Sequence, residues 1–135
     1  MIQNKIVVRY QDGRVFKGNT SDFQPIKPTF HIVLTDSPPG PASVMEVHIS
    51  NVKAIFFVKD FAGDPEHKKT NEFTAGKYAG GRKIKVEFKD GETLVGTTQG
   101  YDPKRTGFFV VPADADSNNE RCFVVAAATQ GVSFI

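Results

Sequence analysis

The chain has 135 residues, of which 39% are hydrophobic and 24% charged, and its formal net charge is +2. This composition is typical of a globular protein, and so small a charge does not by itself require a nucleic-acid or membrane partner. No apolar run approaches the roughly 20 residues of a membrane-spanning helix, and the single cysteine, Cys122, excludes an internal disulfide. We therefore expect a soluble, cytoplasmic protein.

The first predicted elements are two strands that form a hairpin. In residues 5–11, Ile6, Val8 and Tyr10 alternate with Lys5, Val7, Arg9 and Gln11, so that one face is apolar, which is typical of a strand with one buried face. Asp12-Gly13 then supplies a tight turn, because glycine accepts a positive φ and aspartate tolerates it. In the second strand, Gly18 follows Phe16 on the same face, and a glycine inside a strand often marks a sharp bend.

Three more strands are predicted to follow in the first part of the chain. They are indicated by alternating apolar side chains at Phe30, Ile32 and Leu34, at Met45, Val47 and Ile49, and at Ile55 and Phe57. No stretch shows the periodicity of a helix. Residues 59–82 are polar and charged, and we interpret them as a linker, of which the aromatic residues Phe61, Phe73 and Tyr78 are expected to lie against a folded unit.

The remainder of the chain repeats the first part. Residues 83–111 align with residues 5–33 without a gap, and after a slip of one residue the match continues to the end. Identical pairs in this alignment include Ile6/Ile84, Asp12/Asp90, Gly13/Gly91, Gly18/Gly96, Thr20/Thr98, Phe30/Phe108, Val47/Val124 and Phe57/Phe134. An internal repeat of this kind predicts two copies of one structural unit.

The predicted fold class is all-β, with two tandem five-stranded small barrels joined by the polar linker. The first barrel is expected over residues 1–58 and the second over residues 83–135. We expect Phe30, Phe57, Phe108 and Phe134 to lie in their cores.

The order of an apolar strand, an Asp-Gly turn, a strand with a central glycine and an aromatic-Asp-Pro sequence resembles the first motif of Sm-like proteins. It is clearest over residues 84–111, and it implies a small barrel of the Sm-like or Src-homology-3 class. Sm-like proteins typically bind uridine-rich RNA through an Asp and an Asn in the third loop and an Arg-Gly pair before the last strand. Asp102 matches the first of these positions, whereas Thr106 and Gln130 occupy the positions of the Asn and the Arg.

Nearly the whole chain also resembles an uncharacterised bacterial domain family of unknown function. The runs that carry this resemblance are residues 56–61, 81–88, 96–103 and 117–121.

Three groups of residues are candidates for ligand binding. The loop with Tyr101, Asp102, Lys104 and Arg105 combines an aromatic ring with two adjacent cations, which could stack a base and hold a phosphate. The other two groups are Asn118, Asn119 and Arg121 in a polar turn, and Lys83 and Lys85 on the outer face of a strand. For each group the alternative is structural: a solvated loop, a hairpin turn and a solvated strand face.

Catalytic and metal-binding patterns are not found in the sequence. His31, His48 and His67 have no metal-like spacing, and Cys122 has no nearby activating histidine and is expected to be buried. We therefore expect no enzymatic activity, no metal and no cofactor. The first hypothesis is a non-catalytic bacterial binding or regulatory module that acts on a protein partner through its loops or strand edges. The alternatives are single-stranded nucleic-acid binding, of the Sm-like RNA kind, and an enzyme with an unrecognised site.

Overall fold

A computed structural model describes residues 4–35, 43–59, 81–102, 104–113 and 119–135. Within these ranges the chain forms ten strands and two single 3-10 turns, Ile49–Asn51 and Ala126–Ala128, and no helix there is long and apolar enough to cross a membrane. The strands are β1 (Asn4–Tyr10), β2 (Val15–Thr20), β3 (Thr29–Leu34), β4 (Val44–His48), β5 (Val52–Val58), β6 (Arg82–Phe88), β7 (Thr93–Thr98), β8 (Gly107–Pro112), β9 (Asn119–Val125) and β10 (Thr129–Phe134).

The ten strands form one antiparallel sheet in the order β10-β6-β7-β8-β9-β5-β1-β2-β3-β4. We call β1–β5 the first half and β6–β10 the second half, and each half has the same internal order, with its fifth strand beside its first. The predicted all-β class is confirmed. Two separate closed barrels are not confirmed, because the sheet is open, with β4 and β10 at its edges, and because β5 and β9 join the halves.

The hairpins at the start of each half form as the Asp-Gly pairs predict. Gly13 and Gly91 have φ values of 96° and 93°, which glycine adopts without the steric cost that other residues carry. In both hairpins the amide of the last residue of the first strand donates to a carbonyl four residues later, at 2.9 Å. The sequence signal is reliable here because the backbone conformation itself demands glycine.

Gly18 and Gly96 allow a close approach between neighbouring strands. A Cβ atom at Gly18 would overlap the carbonyl oxygen of Val33, and one at Gly96 would overlap that of Val111. Each glycine belongs to a short pairing with the next strand, since β2 pairs with β3 and β7 with β8 over only two residues each. Both positions therefore require glycine, because the backbone of the neighbouring strand lies too close to leave room for a side chain.

Two apolar clusters form the core, one in each half. Of the four phenylalanines predicted to be buried, Phe30, Phe57 and Phe108 are exposed by only 1%, 3% and 4%. The prediction is wrong for Phe134, which is 41% exposed. The reason is that Phe134 lies in the edge strand β10, and no other described strand covers its outer side.

The contact between β5 and β9, which we call the junction, joins the two cores. Phe123 and Val125 of β9 belong to the first-half cluster, whereas Ala54 of β5 belongs to the second-half cluster. The ring of Phe23 lies 5.2 Å from that of Phe123 and 5.7 Å from that of Phe57, with edge-to-face geometry. Each half therefore completes the apolar core of the other.

The predicted linker is largely outside the described residues. Its three aromatic residues, Phe61, Phe73 and Tyr78, all lie there, so their expected packing is not described. At the end of this segment β6 begins at Arg82, one residue before the predicted start of the second unit.

Candidate binding cleft

The loop between β7 and β8 is held in shape by its own polar groups. The Asp102 carboxylate accepts a hydrogen bond of 2.9 Å from the amide of Lys104, and the Asp102 carbonyl accepts one of 3.1 Å from the amide of Arg105. At the base of the loop, the Thr98 hydroxyl donates to the carbonyl of Phe109 at 2.8 Å. This turn leaves the side chains of Lys104 and Arg105 exposed to solvent.

The same loop lines a cleft of about 850 Å³ between the two halves. The first half contributes Pro25 and Ile26, and the side chain of Ile26 is 89% exposed. Apolar lining from the second half comes from Phe108, Phe109, Val111 and Phe123, and polar lining comes from Thr97, Thr98, Gln99, Asp102, Lys104, Arg105 and Thr106. The cleft thus combines apolar walls with two exposed cations.

Tyr101 also lines the cleft, but its ring is partly used in packing. The ring lies 4.8 Å from that of Phe108 and 6.1 Å from that of Phe134, both with edge-to-face geometry, and the residue is half-buried. The Tyr101 ring is therefore already engaged in packing and is only partly available as a base-stacking platform.

The other predicted ligand-binding residues that the structure describes do not line the cleft. Lys83 and Lys85 are on β6, where the Lys85 ammonium is 3.5 Å from the Glu87 carboxylate, and neither lysine lines the cleft. The Arg121 guanidinium lies over the rings of Phe57 and Phe109, at 4.4 and 4.9 Å from their centroids.

Two predicted residues of the polar turn cannot be placed as ligands. Asn118 is outside the described residues, and of Asn119 only the backbone, paired with Val58, is described. The structure thus brings Tyr101, Asp102, Lys104 and Arg105 together, and it does not add Lys83, Lys85 or Arg121 to them.

A buried lysine in β5 is a feature that the sequence reasoning missed. The Lys53 side chain is 7% exposed, and its ammonium lies 2.6 Å from Asp90 and 2.7 Å from Glu92 in the turn after β6. The hydrogen bond from Lys53 holds the pKa of Asp90 below its ordinary value, and the amide of Glu92 acts in the same direction. The signal for this contact was a single charged residue in the apolar run of β5.

A second missed cluster lies on β3 and β4. His31 is 2.7 Å from the Asp22 carboxylate, and His48 is 3.0 Å from the Glu46 carboxylate. Burial acts to raise the pKa of Asp22, but the hydrogen bonds from the His31 amide and ring and from Thr20 outweigh it and lower that pKa. Proximity of this kind depends on strand pairing and is not visible in residue spacing.

In the part of the chain that is described, the residues considered for metal binding or catalysis are His31, His48 and Cys122. No group of three or more His, Cys, Asp or Glu side chains there is arranged to hold a metal ion. His67 lies outside these ranges. Cys122 is fully buried, as its strand position predicts.

Comparisons with known proteins give one match. Neither the curated proteins nor the solved structures contain a protein that matches the chain. The model of a family of unknown function, DUF6982, matches residues 2–135. Since the match covers almost every residue, the chain belongs to this family of unknown function.

Proposed function

We propose that the protein is a non-catalytic binding module that holds a short segment of a partner protein in the cleft between its halves. The observation that carries the proposal is the pairing of an exposed apolar residue, Ile26, with two exposed cations, Lys104 and Arg105, around one cleft. The partner segment is therefore expected to carry an apolar side chain, which would pack against the apolar walls, next to an acidic side chain, which would pair with the cations.

The volume of the cleft is sufficient for one or two side chains of a peptide segment. A cleft of about 850 Å³ lies within the range of about 300 to 1,000 Å³ that is typical of pockets for small ligands. Its apolar walls offer burial for one or two side chains, and the guanidinium of Arg105 can hold a carboxylate through two hydrogen bonds.

Single-stranded nucleic acid is the second candidate, supported by the cations beside Tyr101. It is less favoured because Tyr101 packs edge-to-face against Phe108 and Phe134. Base stacking would compete with this packing.

We also propose that each half is one copy of a duplicated Sm-like barrel unit. The same strand order within each half supports this interpretation. So does a shared hydrogen bond, since the hydroxyls of Thr20 and Thr98 each donate to a carbonyl of the following strand at 2.8 Å.

Selection from a displayed library of random peptides tests the proposed function. Peptides that combine acidic and apolar residues should be enriched, and changing Lys104 and Arg105 together to Glu should weaken their binding about tenfold or more. The matched control changes Lys83 and Lys85 on β6 to Glu. It alters the net charge by the same amount, but at residues that do not line the cleft. Equal binding by the parent and the variant with Lys104 and Arg105 changed to Glu would exclude the cleft as the peptide-binding site.

A labelled oligouridine probe separates the two candidate functions. If the ligand is nucleic acid, the parent should bind this probe with an affinity that falls steeply between low and high salt, because phosphate binding releases counterions. A peptide-binding module should show no such affinity for oligouridine. Tight, salt-dependent binding of the probe would therefore reverse the order of the two candidates.

A further inference from the structure

The loop between β2 and β3, residues 21–28, forms the first-half wall of the cleft, and we call it the wall loop. Pro25 and Ile26 of this loop line the cleft. Near the start of the loop, the ring of Phe23 packs against the first-half apolar cluster. The contacts that hold the first residues of the wall loop therefore decide where this side of the cleft lies.

The Asp22 carboxylate holds the start of the wall loop against β3. One of its oxygens accepts a hydrogen bond of 2.9 Å from the His31 amide and one of 3.2 Å from the Thr20 hydroxyl. The other oxygen lies 2.7 Å from Nδ1 of the His31 ring. Burial acts to raise the pKa of Asp22, but the hydrogen bonds from His31 and Thr20 lower it below its ordinary value. A charged group and a titratable ring thus attach the loop to β3.

The repeat shows that this attachment is particular to the first half. Asp22 and His31 align with Gly100 and Phe109. The strands around the two loops nevertheless have the same order, and in both halves a threonine hydroxyl donates to a carbonyl of the following strand. The repeated unit therefore forms without the Asp22–His31 pair, which we call the anchor. The anchor is an addition in the half whose loop carries the apolar wall of the cleft.

The His31 ring lies between two carboxylates. Its Nε2 is 3.7 Å from Glu46 on β4, and the other oxygen of Glu46 is 3.0 Å from Nε2 of His48. A neutral imidazole has one N–H group, and the short contact with Asp22 requires this group to be on Nδ1, so that a lone pair faces Glu46. A protonated ring has two N–H groups. Protonation therefore converts the contacts of His31 with Asp22 and Glu46 into two ion pairs.

We propose that protonation of His31 strengthens the binding of a peptide in the cleft, because the imidazolium holds the start of the wall loop more firmly than the neutral ring does. This inference rests on the proposed function. Histidine changes its charge between about pH 5 and 8, whereas carboxylates stay ionised at about pH 6 and above. The side chains of His31 and Asp22 are 50% and 46% exposed, so the added ion pair should raise the affinity only about two- to fivefold.

Peptide binding at two pH values tests the proposal. The probe is a fluorescent peptide from the library selection that contains no histidine, so that its own charge is constant. The parent should bind it about two- to fivefold more tightly at about pH 6 than at about pH 8. His31→Gln keeps a side-chain donor but has no charge to gain, and it should bind equally at both pH values.

Two further variants separate the charge of His31 from its other contacts. His31→Arg carries a permanent charge that can pair with Asp22, so its affinity at about pH 8 should equal that of the parent at about pH 6. His48→Gln is the matched control, because His48 contacts the far side of Glu46, and it should keep the pH dependence. Equal affinity of the parent at the two pH values would overturn the proposal. So would a pH dependence that persists in His31→Gln.

A spin label on the wall loop tests the anchor without a ligand. Ile26→Cys places the label at a position that is 89% exposed, and the native Cys122 is fully buried and should not react. The electron paramagnetic resonance spectrum should show a less mobile label at about pH 6 than at about pH 8, and His31→Gln should abolish this difference. A pH-dependent label in a protein that binds no peptide would support the anchor and refute the proposed function. Peptide binding combined with a label that is insensitive to pH would overturn this inference alone.

Discussion

The ammonium of Lys53 in the first half lies 2.6 Å from the carboxylate of Asp90 in the second half. It is also 2.7 Å from Glu92 and 4.7 Å from the centroid of the Phe88 ring. With only 7% of the Lys53 side chain exposed, the charge is held by two carboxylates and an aromatic face instead of water. This contact and the β5–β9 pairing fix the two halves together.

Lys53→Met should lower the free energy of unfolding by about 1 to 2 kcal/mol at neutral pH. Methionine preserves the apolar stem but loses both ion pairs. The loss is moderate because Asp90 and Glu92 are 46% and 65% exposed and can be solvated again. Urea denaturation measures the difference, with the exposed Lys89→Met as the control, for which a change below about 0.5 kcal/mol is expected. Equal losses in the two variants would contradict the role of Lys53.

The stability that Lys53 supplies should depend on pH in a defined direction. The hydrogen bond from Lys53 lowers the folded-state pKa of Asp90 from its ordinary value of 3.8. A lowered carboxyl pKa contributes stability above the unfolded-state value, and this stability is lost as the pH falls through the folded-state pKa. The difference in the free energy of unfolding between the parent and Lys53→Met should therefore be constant from about pH 5 to 7 and should decrease below about pH 4. A difference in the free energy of unfolding that grows as the pH falls would contradict this prediction.

The strands and turns could be predicted because local physics determines them. Side-chain alternation follows from the pleat of a strand, and Gly13 and Gly91 are required by positive φ. The joining of the halves could not be predicted in this way. Residues 52–58 are apolar on both faces except for Lys53, which is typical of a strand buried on both faces, but such a pattern does not identify the neighbouring strand.

The same limit explains the mixed outcome for the candidate site and for Phe134. The loop that carries Lys104 and Arg105 is visible in the sequence, whereas the contribution of Ile26 to the cleft depends on how the halves join. Phe134 aligns with Phe57 in the repeat, yet one lies in an edge strand and the other in a central strand. Alignment of the two repeats therefore predicts where each strand lies in the sequence, but it does not predict which strands are its neighbours in the sheet.

Gly96→Ala should destabilise the protein by at least about 2 kcal/mol. The added methyl group would overlap the carbonyl oxygen of Val111, and a backbone atom cannot move aside without displacing β8. Gly100→Ala is the control, because nothing lies within 4 Å of a Cβ atom there and φ is not positive. Thermal unfolding of both variants checks the prediction. Similar melting temperatures would mean that β7 and β8 are less closely packed than described.

Phe108→Ala and Phe134→Ala should differ in how much they lower the free energy of unfolding. Phe108 is 4% exposed, so its truncation should cost about 3 to 5 kcal/mol. Phe134 is 41% exposed, and its truncation removes less buried surface and should cost less than about 1.5 kcal/mol. Chemical denaturation measures both costs. A cost for Phe134→Ala that equals that of Phe108→Ala would mean that the outer side of β10 is covered.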